Sequence, residues 1–190
     1  MTGSMWVASQ NEKTLRGPVT VGGTSYTGAG TRTWATKDNT VSSYAQFNTT
    51  TSKSALVVSG FLTIGPPSGL WQIYDIINVG IGSVWAVCQI NSKASATTLW
   101  IEANDGGTTH SAEIPVTSGS TYWVSMKVDA AGGLASLDVF EITNWTKIGS
   151  VTRKMTAGTL NMVRFGRADS HPVTATSQTY LDDIFINWTD

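Results

Sequence analysis

Between Ser54 and Trp188 the chain is cut into short β-prone runs by clusters of Gly, Pro, Asn and Asp. None of these runs spaces its apolar residues as an amphipathic helix would. "SALVVSGFLTI" (54–64) stops at "GPPSG". "WQIYDIINV" (71–79) and "SVWAVCQI" (83–90) flank a glycine-containing turn. "TTLWIEA" (97–103) ends at "NDGG", where Asn, Asp and Gly tolerate the positive φ a hairpin needs. "THSAEIPV" (109–116), "TYWVSMKVD" (121–129), "LASLDVFEI" (134–142), "TKIGSVTR" (146–153), "LNMVRFGRA" (160–168) and "TYLDDIFINW" (179–188) complete the series. Strands this frequent, with no helices between them to make parallel crossovers, predict an all-β antiparallel sandwich or jelly roll. The 190 residues are read as one domain, 1–190. Its first fifty residues are rich in Gly, Thr and Ser, and are read as looser edge strands and loops.

Composition narrows the function classes. Charged residues make up 13% of the chain, the net charge is −1, and no basic run appears, so nucleic acid is not an expected partner. The apolar runs have strand length, so no membrane insertion is expected. "MTGSMWVASQNEKT" lacks the charged and apolar regions of a secretion signal. Ser and Thr are about a quarter of the residues, and there are eight tryptophans. A neutral, hydroxyl-rich and aromatic-rich surface suits a virion-surface or extracellular β-protein, and it suits contact with sugars. The single cysteine, Cys88, rules out an intrachain disulfide and reads as a small buried hydrophobe.

Asp182 and Asp183 interrupt the last apolar run. Successive strand side chains point to opposite faces, so regular alternation keeps two adjacent carboxylates from sharing one substrate. A retaining glycosidase needs its carboxyls about 5–5.5 Å apart across one bond. Two other roles stand open. A strand-end Asp can accept hydrogen bonds from loop N–H groups, or Asp182 or Asp183 can help hold calcium, which takes hard oxygen ligands.

"GSTYWVSMKVDAAGGLASLDVFE" (119–141), "LNMVRFGRADSH" (160–171) and "QTYLDDIFIN" (178–187) together resemble a concanavalin-A-like jelly roll of the laminin-G-like type. The resemblance covers about the last 70 residues. It implies lectins, carbohydrate-binding modules, glycan-cleaving enzymes or phage particle accessory proteins as the functional neighbourhood. It also implies that an Asp of the last strand can tie the termini together through calcium. The glucanase pattern of alternate carboxylates on one strand is not met, because Asp138 and Glu141 in "LDVFE" are three apart. The alginate-lyase pattern is not met either, since "WQIYD" has Tyr74 where a histidine would stand. On these grounds the chain is expected not to be an enzyme, to have no catalytic residues and to require no cofactor, with calcium as an option.

Aromatic faces stack on the apolar faces of sugar rings. Trp34, Trp71 and Trp145 have polar or loop-like neighbours and are the candidate glycan contacts, whereas Trp123 and Trp188 are expected to serve packing. Arg164 and Arg167 could meet an acidic sugar or pair with a nearby Asp. His110 and His171 read as loop histidines. The expected function is a surface recognition or structural module. Within that class the reading is a non-catalytic phage virion accessory protein of decoration or fibre type with glycan affinity; the alternative is a carbohydrate-binding, lectin-like module of a secreted bacterial protein, and a polysaccharide lyase or glycoside hydrolase is the outsider. Glycans, further copies of the chain and virion or surface proteins are the expected partners.

Overall fold

The computed structural model of the 190-residue chain describes residues 5–8, 13–15, 19–21, 24–26, 33–36, 43–64, 72–93, 96–167 and 179–189. Their regular structure is entirely strand. In chain order these are β1 (Met5–Ala8), β2 (Lys13–Leu15), β3 (Val19–Val21), β4 (Thr24–Tyr26), β5 (Thr33–Thr36) and β6 (Ser43–Lys53). Then come β7 (Ala55–Ile64), β8 (Gln72–Ile81), β9 (Val84–Lys93), β10 (Ala96–Asn104), β11 (Thr108–His110) and β12 (Ile114–Val116). The last five are β13 (Thr121–Asp129), β14 (Leu134–Glu141), β15 (Thr146–Lys154), β16 (Leu160–Arg167) and β17 (Thr179–Thr189).

They form an antiparallel jelly-roll β-sandwich. One sheet runs β1-β6-β16-β8-β9-β10-β11, with β12 also paired to β10. The other runs β15-β14-β13-β7-β17-β5-β2, and β3-β4 make a separate hairpin. Residues alternate strictly along β13, where Tyr122, Val124, Met126 and Val128 are buried and the residues between them are not. The inner faces meet in one core. Leu56, Val58, Leu62, Val124, Met126, Leu137, Val139 and Leu181 come from the seven-stranded sheet; Ile77, Val79, Cys88, Leu99, Ile101, Val163 and Phe165 come from the other. Cys88 is fully buried, as its apolar neighbours predict.

Turn chemistry follows the sequence. Gly82 opens the β8–β9 loop at φ +56°, as a two-residue hairpin with glycine first requires. After β13, the Asp129 carboxylate accepts a hydrogen bond from the Gly132 N–H at 2.8 Å, and Gly133 takes φ +66°. The run at 109–116 is two strands rather than one. Between them Ser111 turns its hydroxyl to accept the Ile101 N–H at 3.0 Å, filling the gap in the β10 ladder.

Two strands depart from the pattern read in the sequence. β6 carries no strand signal in its sequence, "SYAQFNTTTSK", yet it runs for eleven residues between β1 and β16. In β17 the register shifts: Asp182 pairs with Phe61 and Phe185 with Ser59, so Asp183 and Ile184 stand opposite Gly60 alone. The regular alternation behind the expectation that Asp182 and Asp183 oppose each other is therefore interrupted at these two residues.

Candidate functional site

The outer face of the seven-stranded sheet carries the candidate site, a cluster of aromatic side chains. Because Leu62, Val124 and Val139 point into the core, Phe61, Trp123 and Phe140 point out. Register places them in one row across the sheet: Lys147 opposite Phe140, Phe140 opposite Trp123, Trp123 opposite Phe61, and Phe61 opposite Asp182. The next row reads Ser150, Asp138, Ser125, Ser59, Phe185.

Phe61 and Trp123 meet edge to face at 5.0 Å between ring centroids, the arrangement that the ring quadrupoles favour. Trp145 folds over both from the β14–β15 turn, 6.2 Å from Phe61 and 6.1 Å from Trp123. It remains 58% exposed. Its φ is +53°, and it is the one non-glycine residue with positive φ among the described residues; Gly82, Gly106, Gly119 and Gly133 hold the others. A bulky side chain in that conformation costs about 1–2 kcal/mol. The two ring contacts, about 0.5–1.5 kcal/mol each, roughly offset that cost, and the result is an indole presented to solvent on an aromatic base.

Hydroxyls and one carboxylate surround the rings. Ser59 donates to Ser125 at 3.0 Å, and the Thr63 and Thr121 hydroxyls share a hydrogen bond of 2.7 Å. Asp138 accepts from the Ser150 hydroxyl at 2.6 Å and from Lys147 at 3.1 Å, with Lys127 at 3.8 Å. Lys147 also stands 5.6 Å from the Phe140 ring centroid. Partial burial pushes the Asp138 carboxyl up, but the hydrogen bonds from Ser150 and Lys147 and the charges of Lys147 and Lys127 outweigh it. The carboxyl lies below its ordinary value of 3.8. A depressed carboxylate contributes stability that is complete above the unfolded value and is lost as pH falls through the folded one. Asp138→Asn is expected to remove that part of the acid limb, so that the stability of the variant falls less than that of the parent between about pH 5 and pH 2. Urea unfolding across that range is the check, and parallel curves would count against the assignment.

Of the residues singled out in the sequence, Trp145 belongs to this aromatic cluster. Trp34 lies in β5 with its backbone paired to Leu181 and Thr14; its side chain, Trp71 and the side chains of Asp182 and Asp183 lie outside the described residues. The backbone of Asp182 nevertheless ends the aromatic row. Trp123 is not simply a core residue: it is half-buried on the outer face. Phe61 and Trp123 carry no local mark of a site. Only the pairing of β7 with β13 makes them neighbours. Arg164 is half-buried on the opposite sheet, while His171 and the side chains of His110 and Arg167 lie outside the described residues.

No protein-family model and no curated protein matches the chain. Solved structures match it in fold. The enzymatically active domain of tailspike protein 2 from bacteriophage CBA120 aligns over 98% of this chain with a TM-score of 0.65 and 12% identity; the chain spans 29% of that domain's length. The alginate lyase of Klebsiella pneumoniae aligns over 83% of this chain and 81% of its own, with a TM-score of 0.61 and 7% identity. The receptor-binding domain of botulinum neurotoxin type G aligns over 97% of this chain and 42% of its own, with a TM-score of 0.57 and 9% identity. These similarities overturn the expectation of a non-enzyme. That expectation rested on the missing sequence patterns of two catalyst types, but the sandwich itself is shared with a lyase and an enzymatically active domain. Chemistry on such a scaffold is set by side chains on the sheet faces, which vary independently of the fold. What the chain shares with these proteins is the all-β sandwich.

Proposed function

We propose that the protein engages carbohydrate chains on the outer face of its seven-stranded sheet, with Trp145, Trp123 and Phe61 as the stacking platform. The observation that carries this reading is the exposed Trp145, held at φ +53° against two other aromatic rings. Strain kept at a surface position is a pointer to function, because nothing in chain closure needs tryptophan there and glycine would hold the same turn without cost. The rim supplies what a sugar's hydroxyls need, in the hydroxyls of Ser125, Ser150 and Thr121 and in the Asp138–Lys147 pair. Phe185, 59% exposed, lies diagonally from Phe61 across one strand, which extends the platform by about 7–8 Å.

A concanavalin-A-like assignment of the sandwich and a setting on a virion or cell surface belong to the same reading. They are supported by the tailspike, lyase and receptor-binding folds and by a composition poor in charge. Display as several copies of the chain fits this setting. Calcium enters as the cation that Asp182 or Asp183 would hold at the register shift of β17. Cleavage of the bound chain is a second reading, supported by the sandwich fold of the alginate lyase.

The test is a broad glycan array with the intact chain, run in calcium and again in chelator, with the Trp145→Ala variant beside it. Hits that disappear in the variant are expected. An array blank in both conditions, or hits indifferent to Trp145, would overturn the platform. Loss of hits in chelator reads out the cation. Release of unsaturated or reducing ends from the glycans that bind reads out cleavage.

A further inference from the structure

Beside the aromatic row lies a row of short polar side chains: Ser150 in β15, Asp138 in β14, Ser125 in β13 and Ser59 in β7. Both rows cross the strands, and they stand two residues apart along each strand, about 7 Å. The row beyond holds Lys127 and Val57, which pair directly. Short side chains between rings on one side and longer chains on the other make a shallow trough, with Ser125 and Ser59 as its floor. The hydrogen bonds along this trough are oriented. Ser59 donates to the Ser125 oxygen at 3.0 Å, so the Ser125 proton is left to donate, and it meets no acceptor among the described residues. Asp138 stands directly opposite Ser125. Its Oδ1 accepts from Ser150 at 2.6 Å and from Lys147 at 3.1 Å. Its Oδ2 faces the Lys127 ammonium at 3.8 Å, an ion pair too long to be a hydrogen bond. A donor and an acceptor thus sit side by side on neighbouring strands, their Cβ atoms about 5 Å apart, next to an aromatic wall.

We propose that Ser125 and Asp138 select sugars with free hydroxyls on adjacent carbons, and that the glycan is a 1,4-linked hexopyranose chain lying along the trough. One hydroxyl donates to the Asp138 Oδ2 and its neighbour accepts from Ser125. The inference rests on the carbohydrate reading of this face and names the sugar chemistry the face takes. The trough crosses four strands, further than one ring reaches, so the pair meets sugars inside a chain and not only at its end. An internal 1,4-linked hexopyranose keeps free hydroxyls at C2 and C3. An internal 1,3-linked one has no two on adjacent carbons, because the linkage takes the C3 oxygen between C2 and C4. Stacking on the rings does not separate the two chains, since both present an apolar ring face. The donor–acceptor pair does, because a site built to bond a hydroxyl is left with an unpaired group when that hydroxyl is missing.

The experiment titrates the full chain with β-1,4-linked cellohexaose and mannohexaose and with laminarihexaose, the β-1,3-linked isomer of cellohexaose. All three are uncharged and equal in length, so the linkage is the variable. The better of the two 1,4-linked hexaoses is expected to bind at least about tenfold more tightly than laminarihexaose. Its amide NMR shifts are expected at Ser125, Asp138 and Trp145. Ser125→Ala removes the donor. Asp138→Asn keeps an oxygen for Ser150 and Lys147 but sets an NH2 where the Oδ2 stood. Each is expected to bring the ratio of the two affinities close to one, a readout that a merely structural role would not move. Thermal melting of both variants verifies that they are folded. Equal affinity for the two linkages, a preference that survives in either variant, or shifts gathered on the eight-stranded sheet would overturn the proposal. Failure of both 1,4-linked hexaoses alongside Trp145-dependent array hits defeats this selectivity alone; failure of the hexaoses and a blank array defeat the carbohydrate reading as well.

Discussion

Replacing Trp145 with glycine is expected to weaken glycan binding by about thirtyfold, the roughly 2 kcal/mol that a central aromatic anchor contributes to an interface, while leaving the fold nearly as stable as before. The two effects separate because they have different origins. Affinity is lost with the indole. Stability gains the relief of a left-handed residue, about 1–2 kcal/mol, and loses two aromatic contacts of about 0.5–1.5 kcal/mol each. These terms nearly cancel. Trp145→Ala makes the sharper comparison: it loses the same rings but keeps a Cβ at φ +53°. It is therefore expected to be less stable than Trp145→Gly by up to about 1 kcal/mol, the reverse of the usual order within helices and strands. Urea denaturation of the three proteins measures the stability order, and calorimetric titration with an array hit measures the affinity. Equal stability of the alanine and glycine variants would mean that the turn relaxes out of the left-handed region once the indole is gone.

The largest effect on stability is expected from Phe165→Ala. Phe165 is the largest fully buried side chain among the described residues, 1% exposed, and it packs in the core from the eight-stranded sheet. Truncation removes the transfer free energy of the ring and leaves a cavity that a sandwich braced on both sides cannot collapse, a cost of about 3–5 kcal/mol. For a chain of this size each kcal/mol moves the melting temperature by about 2–4 °C, so a drop of roughly 6–20 °C should appear in a thermal scan. Phe185→Ala, 59% exposed on the outer face, is expected to change stability by no more than about 0.5 kcal/mol. Similar costs for the two would contradict the burial that the register of β16 and β17 dictates.

Those two phenylalanines also mark how far sequence reading reaches. "VRFGR" and "DIFIN" look alike: each sets a phenylalanine at the centre of a β-prone run that ends in charged or polar residues. In β16 uninterrupted alternation from Val163 carries Phe165 inward. In β17 the extra residue at the register shift decides that Phe185 faces out in the row of Ser59. Bulges leave no reliable mark in sequence, because they answer to the partner strand. Asp182 and Asp183 lie at the same shift, so the alternation argument used against their acting together does not hold there.

The sequence by itself determined the strand content and most strand limits from β7 onward, the antiparallel sandwich, the glycine turns, the burial of Cys88 and the choice of Trp145 as an exposed aromatic. Each of these is local physics: period-two alternation, β-branched runs, and residues that tolerate positive φ. β6 escaped because its polar run has no alternation to read, and its pairing with β1 and β16 supplies the hydrogen bonds that stabilise it. Only the tertiary structure decided that β7 lies between β13 and β17. That order sets Phe61 beside Trp123, brings the β14–β15 turn over both and ends the row at Asp182. Strand order and register depend on pairings between segments far apart in the chain, and no single segment encodes them.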